Sequence, residues 1–209
     1  MLDPNSTLFN LAHLQSLNLS YNDFSDSHFH FKFGEFLSLT HLDLSECYFK
    51  GEVPIQISHL SKLESLHLSG NYELVWKETT LKRLVQNATN LKELFLDYTD
   101  MSLIRPNFMV LIFNQSSSLV TLNLKTTFLS GNLKKSFLCL PNIQELDMSS
   151  NDNLEGQLSE LSCSTSLRIL DFPSCQLKGP IPLFFSNFTY LTSLRISRHN
   201  LNGSIPSSL

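Results

Sequence analysis

Apolar residues return along this chain in a fixed cadence. An apolar position is followed by two variable ones, a second apolar position, one variable, a third apolar position, two variable, and then Asn or another small residue. Leu14, Leu17, Leu19, Asn22 and Phe24 open the series. It recurs at Leu39, Leu42, Leu44, Cys47, Phe49; at Leu63, Leu66, Leu68, Asn71; and at Leu91, Leu94, Leu96, Thr99, Met101. Leu119, Leu122, Leu124, Thr127, Leu129 follow, then Ile143, Leu146, Met148, Asn151. Leu167, Leu170, Phe172, Cys175, Leu177 and Leu191, Leu194, Ile196, His199, Leu201 complete it. First positions fall at 14, 39, 63, 91, 119, 143, 167 and 191, so the steps are 25, 24, 28, 28, 24, 24 and 24 residues. The two closely spaced apolar residues point the same way from a short strand, because side chains alternate with period 2. One such strand cannot bury its apolar face alone, so successive units must stack in parallel around a shared core. The pattern predicts a single α/β solenoid over residues 1–209 with no second domain. Short parallel strands should line its concave face, with turns, 3-10 and short helices on the convex side.

The residue at the Asn position turns the chain out of the strand and can satisfy buried backbone groups there. Asn22, Asn71 and Asn151 fit this directly, and Thr99, Thr127, Cys47 and Cys175 are small substitutes. His199 is bulkier and fits less well. Phe24, Phe49 and Phe172 read as core aromatics. Gly51-Glu-Val-Pro54, Gly179-Pro-Ile-Pro182 and Gly203-Ser-Ile-Pro206 mark turns leading to irregular or edge positions. In the first long unit, residues 80–89 read as a short helix on the outer side.

Composition narrows the function class. A net charge of −4 offers no basic footprint for nucleic acid. The longest apolar stretch, 109–113, is far below the roughly 20 residues that span a bilayer. The N-terminus shows neither the basic nor the apolar region of a signal peptide. No phosphate-binding glycine loop, kinase motif set or nucleophile elbow is present, so the reading is a binding protein without enzymatic activity or cofactor.

Leu-Thr-His-Leu-Asp-Leu-Ser at 39–45, Gly179-Pro-Ile-Pro182 and Asn200-Leu-Asn-Gly-Ser-Ile-Pro206 resemble the plant-specific, 24-residue class of leucine-rich repeat. Leu17-Asn-Leu-Ser-Tyr-Asn-Asp-Phe24, Phe33-Gly-Glu-Phe36 and Ile57-Ser-His-Leu-Ser-Lys-Leu63 resemble the early repeats of plant receptor-like proteins of the disease-resistance type. The resemblance covers essentially the whole chain. It implies an ectodomain segment on the extracellular side of the plasma membrane. That segment would bind a protein or peptide ligand in defence perception and signal through partner receptor kinases. The N-terminal cap, membrane helix and tail of that family have no counterpart in the sequence, so the chain reads as a run of early repeats. The ectodomain of a leucine-rich-repeat receptor kinase is an alternative, as is a secreted polygalacturonase-inhibitor-like protein. The 28-residue units speak against the inhibitor.

Positions left free by the core, on the concave strand face, are the natural binding surface. His41, His67, Glu93, Phe95, Tyr98, Glu145, Arg195 and Arg198 form the candidate set. Phe95 is its centre, an aromatic where polarity is expected, and aromatics and Arg are the usual interface anchors. Asn-x-Ser/Thr sequons fall at Asn5, Asn18, Asn87, Asn114, Asn187 and Asn202. Asn18 would put a glycan on the strand face, which leaves the other five as glycosylation candidates. Cys139 and Cys163 hold equivalent places in adjacent units. Stacked strands lie about 4.7–4.9 Å apart, which is within disulfide reach if the outer segments keep that spacing. Cys47 and Cys175 should be buried thiols. His28 and His30 have no third ligand nearby for a metal.

Overall fold

The computed structural model describes residues 6–105, 118–133, 142–157, 166–181 and 183–205. Asn5, Asn114, Cys139 and Cys163 lie outside them. The strand segment of every unit forms a three-residue strand: β1 (Ser16–Asn18), β2 (His41–Asp43), β4 (Ser65–His67), β6 (Glu93–Phe95), β7 (Thr121–Asn123), β9 (Glu145–Asp147), β11 (Ile169–Asp171) and β13 (Ser193–Arg195). They pair in parallel, in that order, as one eight-stranded sheet. The register aligns the central leucines, Leu17 with Leu42 with Leu66 with Leu94 and onward to Leu194. Equivalent residues of neighbouring repeats therefore stand beside one another, and the core is a column of stacked leucines. Leu42, Leu66, Leu94, Leu122, Leu146 and Leu170 are all buried. The predicted plant-type leucine-rich-repeat solenoid is what forms.

A second parallel layer follows the turns. The strands β8 (Gly131–Asn132), β10 (Leu154–Gln157), β12 (Gln176–Pro180) and β14 (Asn200–Asn202) form one sheet. A two-stranded pair, β3 (Lys50–Glu52) and β5 (Glu73–Val75), forms another. Two of the three glycine-proline segments, at Gly51 and Gly179, thus supply strand residues, Gly203 falls just after β14, and Pro180 ends β12, where the lack of an N–H matters least. Between the two pieces, the second long unit contributes, among the described residues, only the bridge from Asp100 back to Val75. Among the described residues, the back is closed by 3-10 turns and by one α-helix, α1 (Glu78–Asn87), which begins two residues earlier than the sequence suggests. Its Leu81, Leu84 and Val85 are buried, as is Trp76 just before it. Spacing of apolar residues at i, i+3 and i+4 puts those three on one face, directed at the core.

The Asn positions tie repeat to repeat. The Asn71 side-chain amide donates to the carbonyls of Leu68, in its own strand segment, and of Leu44, one repeat earlier, at 2.8 and 2.9 Å. Asn151 does the same with Met148 and Leu124, both at 2.9 Å. The substitutes recover part of this. The Cys47 thiol donates to Leu19 O at 3.0 Å, and the Thr99 hydroxyl to Leu96 O at 2.7 Å. His199, the poorest fit by size, brings its Nδ1 within 2.7 Å of Cys175 O.

The residue before the Asn position carries the actual reversal. Tyr21, Glu46, Gly70, Tyr98, Thr126, Ser150, Ser174 and Arg198 all have positive φ, between 52° and 72°. That conformation costs a non-glycine residue about 1–2 kcal/mol. It is imposed by the ladder: the N–H of Tyr21, Glu46, Gly70, Tyr98, Thr126, Ser150 and Ser174 each donates to a carbonyl of the next repeat at 2.7–3.0 Å.

Candidate functional site

The open face of the eight-stranded sheet carries two side chains from each strand. One row runs Ser16, His41, Ser65, Glu93, Thr121, Glu145, Ile169, Ser193, and the other Asn18, Asp43, His67, Phe95, Asn123, Asp147, Asp171, Arg195. Much of the second row is occupied with the backbone. Asp43 Oδ1 accepts the Ser45 N–H at 3.0 Å, Asn123 Oδ1 that of Lys125 at 3.1 Å, and Asp147 Oδ1 that of Ser149 at 2.8 Å. These side chains finish the strands and fix the turns that follow.

Three of the candidate residues meet. The His67 and Phe95 rings lie 4.4 Å apart, tilted by 50°. His67 Nε2 stands 3.6 Å from a Glu93 carboxylate oxygen, and the Ser65 hydroxyl donates to that same oxygen at 2.9 Å. Phe95 is half-buried, with one flank on the histidine. Its other flank faces a hollow lined by Asn123, Glu145, Asp147, Ile169 and Asp171. A second hollow runs on the opposite side of His67, lined by Asn18, His41, Asp43 and Glu93 among others. Two shallow depressions with an aromatic wall between them suit an extended chain laid across the strands.

Tyr98 sits past the end of β6, with the Lys125 ammonium 5.7 Å from its ring centre. Glu145 borders the Phe95 hollow from two strands away. His41 stands one strand beyond His67, with its Nδ1 2.9 Å from the Thr40 hydroxyl. The arginines are not part of the cluster. Arg195 lies four strands from Phe95 and pairs with Asp171 at 2.9 Å, and Arg198 is exposed on the last turn. Asn87, Asn187 and Asn202 are exposed. Asn18 is held on the sheet face, its amide donating to Asp43 at 3.1 Å and its carbonyl accepting the Ser20 N–H at 2.9 Å.

Two residues of this face escape a reading of leucine spacing. Ile169 is a half-buried apolar residue on the row of Glu93 and Glu145. Asp97 follows Phe95 by two, so period 2 returns it to the same face. The Ser69 hydroxyl donates to it at 2.6 Å, and burial pushes its carboxyl above the ordinary range. Among the described residues, no group of three or more His, Cys, Asp or Glu could hold a metal ion. No helix there is long and apolar enough to cross a membrane.

Leucine-rich-repeat family models match residues 10–27, 38–60 and 166–188. The chain is 37% identical over 201 residues to Receptor-like protein 6 of Arabidopsis thaliana, covering 93% of this chain and 20% of that protein. It is 40% identical over 189 residues to Receptor-like protein Cf-9 of Solanum pimpinellifolium, covering 90% of this chain and 21% of that one. It thus spans about a fifth of the length of the curated relatives it matches. Among solved structures, it resembles the ectodomain of the Arabidopsis receptor kinase HAESA in complex with an N-terminally extended IDA peptide hormone. The TM-score is 0.72 at 25% identity, over 90% of this chain and 30% of that one. The PEPR1–AtPEP1 complex gives a TM-score of 0.70 at 25% identity, over 97% and 31%. With its repeat, its stacked sheet and these matches together, the chain is a leucine-rich-repeat solenoid, similar to one stretch of the plant receptor-like proteins.

Proposed function

We propose that this chain is a ligand-binding part of the ectodomain of a plant cell-surface receptor-like protein. It acts on the extracellular side of the plasma membrane in defence perception and signals through partner kinases. In this reading, residues 1–209 are one continuous solenoid of eight repeats, and the sheet face around Phe95 takes a protein or peptide ligand. The observation that carries it is the contact of Phe95 with His67 on a largely polar face, flanked by two hollows. A half-exposed ring backed by a second ring provides a rigid apolar anchor, and such anchors dominate interface energies. His41, Glu93, Tyr98 and Glu145 supply polar contacts beside it, while Arg195 and Arg198 reach a ligand only if it runs the length of the sheet.

The test is to express the parent reading frame in leaf cells, with Phe95 or with Phe95→Ala, and record the oxidative burst against a panel of microbial extracts. A response lost in the variant at equal surface abundance supports the reading, and an unchanged response removes the Phe95 face. A receptor-kinase ectodomain is the second reading, favoured by the likeness to the peptide-bound HAESA and PEPR1 structures. Autophosphorylation of the purified parent protein separates the two.

A further inference from the structure

The turns that follow the strands display a group of rings of which the sheet-face set includes only Tyr98. Tyr48 and Tyr72 are 51% and 53% exposed, and Tyr98 is half-buried. They come from three successive repeats, and the Tyr72 and Tyr98 rings lie 5.5 Å apart. The Glu46 side chain lies across Gly70 of the next repeat, so close that a Cβ there would meet its carboxyl carbon at 2.3 Å. Burial holds the proton on the Tyr72 hydroxyl above the ordinary phenol range, and the charges of Glu46, Tyr98, Tyr48 and Asp97 add to that. Among the described residues, the Glu46 carboxylate makes no hydrogen bond or ion pair.

We propose that Glu46, Tyr48, Tyr72, Tyr98 and Asp97 form a docking point for an arginine side chain carried by a partner protein or peptide. The chemistry is complementary on three counts. Ring faces attract a cation through their quadrupole. A guanidinium is planar and weakly hydrated, so it stacks on a ring while its N–H fork meets a carboxylate. Glu46 is a carboxylate without a partner, so a cation arriving there relieves charge that no hydrogen bond or ion pair among the described residues balances, and the partly desolvated Asp97 adds to the attraction. One of these rings already holds a cation: the Lys125 ammonium, from the repeat beyond Tyr98, sits 5.7 Å from its ring centre. Two carboxylates repel phosphate, which sets nucleic acid and anionic lipid aside. The patch lies on the turns beyond the strand ends and shares Tyr98 with the face around Phe95; Glu46, Tyr48 and Tyr72 belong to it alone, and the variants that test it are placed there.

The test titrates fluorescein-labelled tetra-arginine amide into the secreted 209-residue chain and reads anisotropy, with tetra-citrulline amide as the uncharged isostere. The arginine peptide should bind and the citrulline peptide should not. Glu46→Gln and Tyr72→Ala should each weaken binding by about threefold or more. Tyr72→Phe should preserve it, because the ring face is what matters. Glu155→Gln removes the same charge from an exposed site on the second sheet and should change nothing. Equal weakening by Glu46→Gln and Glu155→Gln would reduce the effect to net charge and overturn the proposal. So would full binding by Tyr72→Ala, or equal binding of the two peptides.

Discussion

The side-chain carbonyl of Asn71 accepts the backbone N–H of Phe49 at 2.9 Å, across 22 residues of sequence and one repeat of structure. With the carbonyls of Leu44 and Leu68 that its amide serves, this one buried side chain satisfies three buried backbone groups from two repeats, and it reaches a fourth, Ser69 O, at 3.4 Å. Asn71→Ala leaves all three unpaired in the core. Each buried orphan costs about 1–3 kcal/mol, so the loss should be at least about 2 kcal/mol after relaxation. Asn22 fills the same slot in the first unit, but its side chain is exposed and bonds only to Leu19 and Ser20. Asn22→Ala should cost about 1 kcal/mol or less. Urea unfolding of the two variants checks the contrast, and equal losses would mean that burial is not what gives Asn71 its weight.

Gly34 sets how closely two back-side turns approach. A Cβ on Gly34 would stand 2.1 Å from the backbone oxygen of Gln56, and backbone cannot swing aside as a side chain does. Gly34→Ala should therefore force the two repeats apart and destabilise the chain by about 1–3 kcal/mol, the usual cost of overpacking. Thermal melting monitored by circular dichroism would show it.

Cys47 and Cys175 are buried free thiols, as their place in the turn implies. Burial pushes Cys47 up to about 11 and Cys175 up to about 12, from 9.0. Both should resist iodoacetamide at pH 8 in the folded chain and react in urea, read by mass. The sign of the pH effect follows. Above the unfolded value of 9.0 the unfolded thiol loses its proton while the folded one keeps it. Stability is therefore intact below that pH and declines as pH rises from there through the folded values. The same mass measurement, made without reductant, tests the Cys139–Cys163 bridge: a mass two daltons below that of the four-thiol chain is expected if it forms.

Exposed sequons should carry glycans when the chain is secreted by plant cells. Asn87 closes α1, and its amide donates to Ser58 O at 3.1 Å, a bond that a glycosylated nitrogen can keep with its remaining hydrogen. Asn87, Asn187 and Asn202 should be occupied, as should the two sequons at Asn5 and Asn114. Asn18 should not be, because its carboxamide is fastened to Ser20 and Asp43 on the strand face. Peptide mapping with and without glycosidase distinguishes the sites.

The sequence by itself determined the strands, their parallel order and the core. Leu17, Leu42, Leu66 and the rest recur at one place in each unit, and parallel pairing brings equal places together, so a one-dimensional period specifies a register. It also carried Asn71, Asn151, the buried thiols and the odd aromatic at Phe95. Tertiary structure alone decided the rest. The row of positive-φ residues from Tyr21 to Arg198 has no shared residue type to reveal it, because the N–H···O ladder between repeats imposes the conformation on whatever stands there. The second sheet depends on the same stacking, and it is broken where a 28-residue unit replaces a 24-residue one. The contacts of His67 with Phe95, and of Tyr72 with Tyr98, join residues a full repeat apart. Period fixes which backbone positions are neighbours. Which way their exposed side chains turn is settled only when the neighbours are in place.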